Sequence, residues 1–333
     1  MLCLYYNFFL PKGKKIIAKN TSLWYDTLER EGTHLNGCTL CPRACGVDRV
    51  RQRGFCGMGM ELRAARAAEH LWEEPCISGT RGSGTVFFSG CTLGCVFCQN
   101  HTISHGGFGA EISPRRLAEI FQELERSGVH NLNLVTPTHF TPQILQALEL
   151  AKPGIPVVMN TGGYERVETL KLWEGHISIY LPDLKYYSAA LSQKYSAAGD
   201  YFAFASEAIL EMHRQQPQLV WDGPLLRRGL VIRHLVLPGC MRDSLKLMDW
   251  LSHALPAESF LLSLMSQYTP TPACQAFPEI NRRITTYEYE KVAERARELG
   301  FQGFGQERRS AREEYTPSFR LEGIVPESSN LQL

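Results

Sequence analysis

No segment of this 333-residue chain offers the roughly 20 consecutive apolar residues that a membrane-spanning helix needs. The amino-terminal run from Met1 to Leu10 is apolar but short. Its basic residues, Lys12, Lys14 and Lys15, follow the run rather than precede it, and no small-residue cleavage site is evident. It therefore makes a poor signal peptide. Packing on the body of the protein and a misplaced start codon are the two readings left for it. An excess of one charge is missing too. Lys and Arg total 35 against 34 Asp and Glu, a net charge of +1, so no global field recruits nucleic acid or an acidic membrane. Even spacing is absent from the eleven cysteines, most of which cluster at positions 38, 41, 45 and 56 and at 91, 95 and 98. Clustering at ligand spacing argues for metal binding in a reducing, cytoplasmic setting rather than for a secreted disulfide scaffold.

Hydrophobic residues make up 44% of the chain, enough for a sizeable core. Residues 1–35 read as an arm, 36–75 as a cysteine- and arginine-rich module, 80–305 as the main domain and 306–333 as a charged tail. Strand-like apolar runs fall near 84–90, 130–136, 156–161, 176–183, 229–237 and 258–266. Helical patterns lie between them. Ser113 and Pro114 start one, with Leu117, Ile120, Phe121 and Leu124 on its inner face and Gly128 at its end. Thr141 and Pro142 open the next. Thr285 and Glu288 form a capping box for the last, which ends at Gly300. Gln215 to Gly229 reads as a loop because Pro and Gly interrupt it. Six strand–helix repeats imply an α/β fold with a parallel sheet, since parallel strands need crossover helices. Periodicity alone leaves a barrel-like and a doubly wound sheet both open.

The densest chemistry is Cys91-Thr-Leu-Gly-Cys95-Val-Phe-Cys98, directly after an apolar strand. Three thiolates on one loop can hold three irons of a 4Fe-4S cube and leave the fourth iron open to a small molecule. A zinc site completed by His101 or His105, a disulfide, and a chance spacing on a buried loop are the alternatives. The Gly-, Asn- and His-rich stretch from Gln99 to Gly107 suits a cluster loop at the carboxyl end of a strand.

A second group, Cys38, Cys41, Cys45 and Cys56, places four thiolates within nineteen residues. That is a closed ligand set for zinc or for a second Fe–S cluster, and thiolate softness does not separate the two. Free cysteines in a small core are the plain alternative. Arg43, Arg49, Arg51, Arg53 and Arg63 give the module a positive bias, read as a solvated face or as a grip for an acidic partner or RNA.

From Cys38 to about Arg309 the chain resembles radical S-adenosylmethionine (SAM) proteins related to pyruvate formate-lyase activating enzymes. The resemblance is carried by Cys41-Pro-Arg-Ala-Cys-Gly46, Glu74-Pro75 with Ile77-Ser-Gly79, Gly82-Ser-Gly84, Phe87-Phe-Ser-Gly90, and the triad with Gln99-Asn100. It continues in Asn133-Leu-Val-Thr-Pro-Thr-His139, Tyr180-Leu-Pro-Asp-Leu-Lys185 and Arg233-His-Leu-Val-Leu-Pro-Gly239. It implies a partial (β/α)6 barrel, a 4Fe-4S cluster on Cys91, Cys95 and Cys98, and SAM chelated to the open iron beside Phe97. Many superfamily members hold the SAM amine with a Gly-Gly-Glu run after the second strand. Val135-Thr-Pro-Thr138 stands there instead, which points to Thr136 and Thr138. Asn160, Asp183, Lys185 and Arg233 are the further candidates for SAM or substrate. A surface Asp183–Lys185 pair, a turn cap at Asn160, and Arg233 balancing Asp183 are their structural readings. His139 and Tyr268 read as structural. Cys240 and Cys274 read as ordinary cysteines, with a redox role open for Cys240.

The reaction implied is reductive cleavage of SAM to a 5′-deoxyadenosyl radical, fed by a flavodoxin- or ferredoxin-type electron donor. One reading makes the chain an activase that places a glycyl radical on a partner enzyme. A second has it modify another protein, an RNA or a small molecule, with the amino-terminal module docking the substrate. A third is a non-catalytic Fe–S or zinc carrier or scaffold.

Overall fold

The computed structural model describes residues 37–305 and 318–325. The arm, and the tail apart from 318–325, lie outside the described residues. Strand β1 (Arg63–His70) runs antiparallel to β2 (Ser83–Phe88), and the short helix α1 (Pro75–Ser78) lies between them in sequence. Helix α2 (His101–Ser104) and edge strand β3 (Ala110–Glu111) follow. The chain then alternates: α3 (Pro114–Arg126), β4 (Leu132–Val135), α4 (Thr141–Ala151), β5 (Val157–Thr161), α5 (Val167–Leu172), β6 (Ile179–Pro182). Helices α6 (Ala189–Ser196) and α7 (Tyr201–Gln215) lead to the hairpin of β7 (Val220–Asp222) with β8 (Leu225–Leu235). Helix α8 (Met241–Ala254), β9 (Leu261–Met265), α9 (Thr286–Glu298) and β10 (Gly303–Gly305) complete the described domain.

The sheet runs β10-β9-β8-β6-β5-β4-β2-β1-β3, with β2 through β10 of that path parallel. All six expected strands are present, so the α/β reading and the partial (β/α)6 barrel both hold. Side chains sort the two faces by alternation. Leu132, Leu134, Met159, Tyr180 and Ile232 join the core that also contains Leu117, Phe121 and Leu124 of α3. The opposite face brings Val158, Ile179, Leu181, Val231 and Leu261 from four adjacent strands onto Cys76 and Ile77 of α1. Four strands can share so small a contact only if the sheet curves around it. Helix α1 therefore plugs one end of a half-barrel, and burying Ile77 completely is worth about 1.5–3 kcal/mol.

The caps form as expected. Ser113 Oγ accepts from Arg116 N, and Thr285 and Glu288 make the reciprocal capping box. Three places differ from the sequence reading. Residues 63–70, inside the expected cysteine-rich segment, form a strand of the sheet between β2 and β3. The stretch read as a loop between Gln215 and Gly229 holds β7 and the start of β8, because Gly223 at φ +58° makes a tight turn rather than a break. Residues 318–325 return to β1, where Leu321 N donates to Ala65 O and Arg66 pairs with Glu322 at 2.8 Å. Among the described residues no helix is long and apolar enough to cross a membrane.

Candidate functional site: a three-thiol loop over a buried charge network

The triad loop leaves β2 through Gly90, whose φ of +83° turns the chain over the sheet end. Two main-chain bonds fix the loop to the end of α6: Gly94 N to Ser196 O (3.1 Å) and Val96 N to Tyr195 O (2.9 Å). Each sulfur lies beside a polar group. Leu93 N–H points at Cys91 Sγ (3.4 Å), Ser196 O–H donates to Cys95 Sγ (2.9 Å), and Ser104 Oγ sits 3.2 Å from Cys98 Sγ. Such contacts favour thiolates and orient them as ligands. Burial pushes the Cys91 and Cys95 thiols up, Cys95 to about 11, and their repulsion with Cys98 adds to it. Lys185 pulls both back down. Three crowded sulfurs with donors in place fit a positively charged iron–sulfur group better than they fit bare thiols. All ten described cysteines are free, which removes the disulfide alternative.

Beneath the loop lies a chain of partly buried charges. Lys185 Nζ donates to Asp183 Oδ2 (2.6 Å), and Arg233 Nε donates to Asp183 Oδ1 (2.9 Å). Arg233 Nη2 donates to Asn160 Oδ1 (2.6 Å), and its Nη1 lies 3.5 Å from Glu73 Oε2. Glu73 Oε1 accepts from Asn133 (2.9 Å) and Asn160 (3.3 Å). The structural pairing of Arg233 with Asp183 is therefore correct in geometry, and the pair is largely buried rather than on the surface. Burial opposes the charge on Asp183, but Arg233 and Lys185 outweigh it and hold the carboxyl below its ordinary value. Burial also opposes the charge on Lys185, and Asp183 and Cys95 outweigh that. Glu73 and Glu74 are raised by burial, with Arg233 pulling the other way. Glu74 Oε2 and Asn133 Oδ1 are buried without a partner.

Glu73 was not among the sequence candidates. It enters the barrel floor from the segment before α1, and its Arg233 partner is 160 positions away. The one local signal was the Glu74-Pro75 step, since proline suits a first helical turn.

The threonines divide. Thr138 is buried and committed, its hydroxyl donating to Glu165 Oε1 (2.8 Å) and its carbonyl accepting from Thr141 Oγ1 (2.7 Å). Burial raises the Glu165 carboxyl to about 7, and the Thr161 and Thr138 hydroxyls restrain it. Thr136 sits at the end of β4 with φ +58°, a left-handed conformation that costs a β-branched residue about 1–3 kcal/mol. Strain of this size collects where a site needs it. Phe97 is buried 5.9 Å from the Tyr268 ring. Tyr268 donates to Ile280 O (2.7 Å), and His139 Nε2 contacts Ser89 O (2.7 Å), both structural as expected.

The second cysteine group forms a knuckle. Cys38 N donates to Val47 O and Gly46 N to Cys38 O, with left-handed turns at Ala44, Gly46 and Gly57. Burial raises Cys41 to about 12 and also raises Cys56, and the thiols of Cys38, Cys41 and Cys56 repel one another. A β-carbon at Gly54 would stand 3.2 Å from Cys45 Sγ and 3.6 Å from Cys56 Sγ. The four thiols therefore share one neighbourhood.

A family model described as the radical SAM superfamily matches residues 85–236. The chain is also 32% identical over 271 residues to "Uncharacterized protein MJ0674" of Methanocaldococcus jannaschii, across 78% of this chain and 74% of that one. This chain belongs to the radical SAM superfamily. Among solved structures it is similar to a radical SAM methyltransferase from Sphaerobacter thermophilus, with TM-score 0.49 and 14% identity over 70% of this chain and 68% of that one. It is also similar to Streptococcus suis SuiB bound to precursor peptide SuiA, with TM-score 0.44 and 12% identity over 65% of this chain. It spans only 46% of the SuiB chain. Membership in the radical SAM superfamily implies a 4Fe-4S cluster and SAM as the groups this site serves.

Proposed function

We propose that Cys91, Cys95 and Cys98 ligate the cluster and that the chain cleaves SAM reductively to attack a C–H bond of its substrate. The observation that supports this most is the placement of three donor-contacted thiols at the carboxyl end of β2, directly above Lys185. When bound, the cluster and SAM supply an electron and a 5′-deoxyadenosyl radical. The protein's own residues hold and insulate. Ser196 and the Leu93 amide steady two sulfurs, and Lys185 offers a positive charge beside Cys95. The Asp183–Arg233 pair fixes the Lys185 ammonium, and Asn160 fixes Arg233. Thr136, held in a strained turn at the mouth, is the better candidate for the SAM amine, because Thr138 is spent on Glu165.

Glycyl-radical activation of a partner enzyme is the first substrate class to examine, on the match at Asp183-Leu184-Lys185. Modification of another protein or a small molecule is favoured by a different feature, the four-cysteine module before the triad, which we propose carries an Fe–S cluster rather than zinc. The test is anaerobic reconstitution with iron and sulfide, reduction, addition of SAM, and quantification of 5′-deoxyadenosine. Product from the wild type and none from Cys95→Ala is expected. A colourless, aerobically purified protein that is fully active would refute the cluster assignment.

A further inference from the structure

The four-cysteine module grips the triad loop at every second residue. A β-carbon at Gly90 would come within 2.6 Å of the Cys56 carbonyl oxygen and 2.5 Å of the Met58 side chain, so main chain meets main chain there. Arg43 Nε donates to Thr92 O (2.8 Å), and its other nitrogens reach Ser196 O (3.2 Å) and Ala197 O. Ser196 in turn donates to Cys95 Sγ. The Phe55 ring stands against Gly94 and carries the Arg43 guanidinium 3.7 Å above it. Positions 90, 92 and 94 thus all rest on module residues at or within two positions of its cysteines. Cys56 touches Gly90, and Gly90 is one peptide from Cys91, so the two cysteine groups approach to roughly 10 Å by chain geometry.

The module is also polarised. Cys38 and Cys41 are buried, the Cys56 main chain meets the triad loop at Gly90, and Cys45 is exposed. Gly54, which stands against Cys45, follows the exposed Arg53, and Arg51 two residues earlier is exposed as well. Asp48 pairs with Arg51 at 3.6 Å and accepts from Val50 N at 3.0 Å.

We propose that the Cys38/Cys41/Cys45/Cys56 module is a one-electron relay. An acidic flavodoxin- or ferredoxin-type carrier docks on the arginine-rich face by Cys45, and the electron leaves by the Cys56 edge for the triad site. This rests on the reading that the module holds iron and sulfide. One electron enters and one leaves, no bond is made or broken in the module, and the carrier is oxidised by one electron. A purely structural metal would need neither the exposed corner nor the contact with the cluster loop. The positive face would raise the encounter rate with an acidic carrier and would be weakened by salt.

The experiment uses the full chain, reconstituted anaerobically. The triple variant Cys91→Ala/Cys95→Ala/Cys98→Ala isolates the module. It should retain about four irons and a reducible EPR signal. Zinc without iron there would overturn the underlying reading. With iron present, the reduced wild type should show two EPR signals broadened by each other. A simple sum of the two isolated signals would overturn the relay and leave the second cluster standing. Finally, Cys45→Ser and, as a second variant, Cys56→Ser should lose SAM cleavage driven by reduced flavodoxin while dithionite still reduces the triad cluster. Equal cleavage from flavodoxin in variants and wild type would refute the relay. So would equal loss with both reductants in a variant that unfolds at a lower temperature, which marks a structural role.

Discussion

Replacing Arg233 with Met removes the cation on which three buried carboxyl groups converge. Asp183 retains Lys185 at 2.6 Å, and Glu73 retains the Asn133 and Asn160 amides. Glu74 retains no cation that this network supplies. Taking one member from a buried pair typically costs about 3–5 kcal/mol, because the remaining charge stays desolvated. For a chain of this size that is a fall of roughly 6–10 °C in melting temperature. The sign of the pH dependence follows from the glutamates. Both are already raised in the folded state by burial, and losing Arg233 raises them further. The native state then binds more protons than the unfolded chain, so stability falls as pH rises through and above the ordinary glutamate range. The deficit of Arg233→Met against wild type should be largest at pH 8 and smaller at pH 5. Unfolding of the metal-free protein at the two pH values measures it. The exposed Asp222–Arg227 pair is the control, and Asp222→Asn should change stability by under about 1 kcal/mol. A Met variant within about 0.5 kcal/mol of wild type, or a deficit independent of pH, would refute the assignment of this network as charge-balanced through Arg233.

Thr136→Gly should raise unfolding stability by about 1–2 kcal/mol, since glycine adopts φ +58° freely, while weakening SAM binding measured by equilibrium dialysis. Gly90→Ala should cost more than about 2 kcal/mol and lower iron incorporation, because the new methyl meets the Cys56 carbonyl. Gly46→Ala, also left-handed but with open space around it, should cost only about 1 kcal/mol. Ser196→Ala removes the donor on Cys95 Sγ. An EPR-monitored redox titration should find the triad cluster harder to reduce, at unchanged iron content.

The parallel strands were legible because both faces are buried, so Leu132–Val135, Val157–Thr161 and Leu261–Met265 read as continuous apolar runs. Strand β1 was not, because Arg63-Ala-Ala-Arg-Ala-Ala-Glu-His70 has little intrinsic strand preference. Pairing with β2 on one side and the returning segment at Glu322 holds it extended. The β7–β8 hairpin hid behind Pro217, Gly223 and Pro224, where one glycine makes the turn that three breakers disguised. Within the site, the triad and the four-cysteine group were visible because their spacing is local. The charge network was visible only in part. Asp183 and Lys185 are neighbours, whereas Arg233 lies 50 positions from Asp183 and Glu73 lies further still. Thr138 looked available because sequence displays a hydroxyl but not the buried carboxyl that claims it.

The floor of the barrel also sets an order of events during synthesis. Glu73, Glu74 and α1 leave the ribosome long before β8 brings Arg233, so until then the plug's carboxyl groups stay in water and its apolar residues lack Val231 and Leu261. Contacts of such long sequence separation form late. A nascent chain ending before β8 would carry every cysteine of both groups and still have no sealed floor beneath them. Metal loading of the triad should therefore follow completion of the chain, and fragments that stop short of residue 233 should reach the cell's quality control as open, aggregation-prone half-sheets.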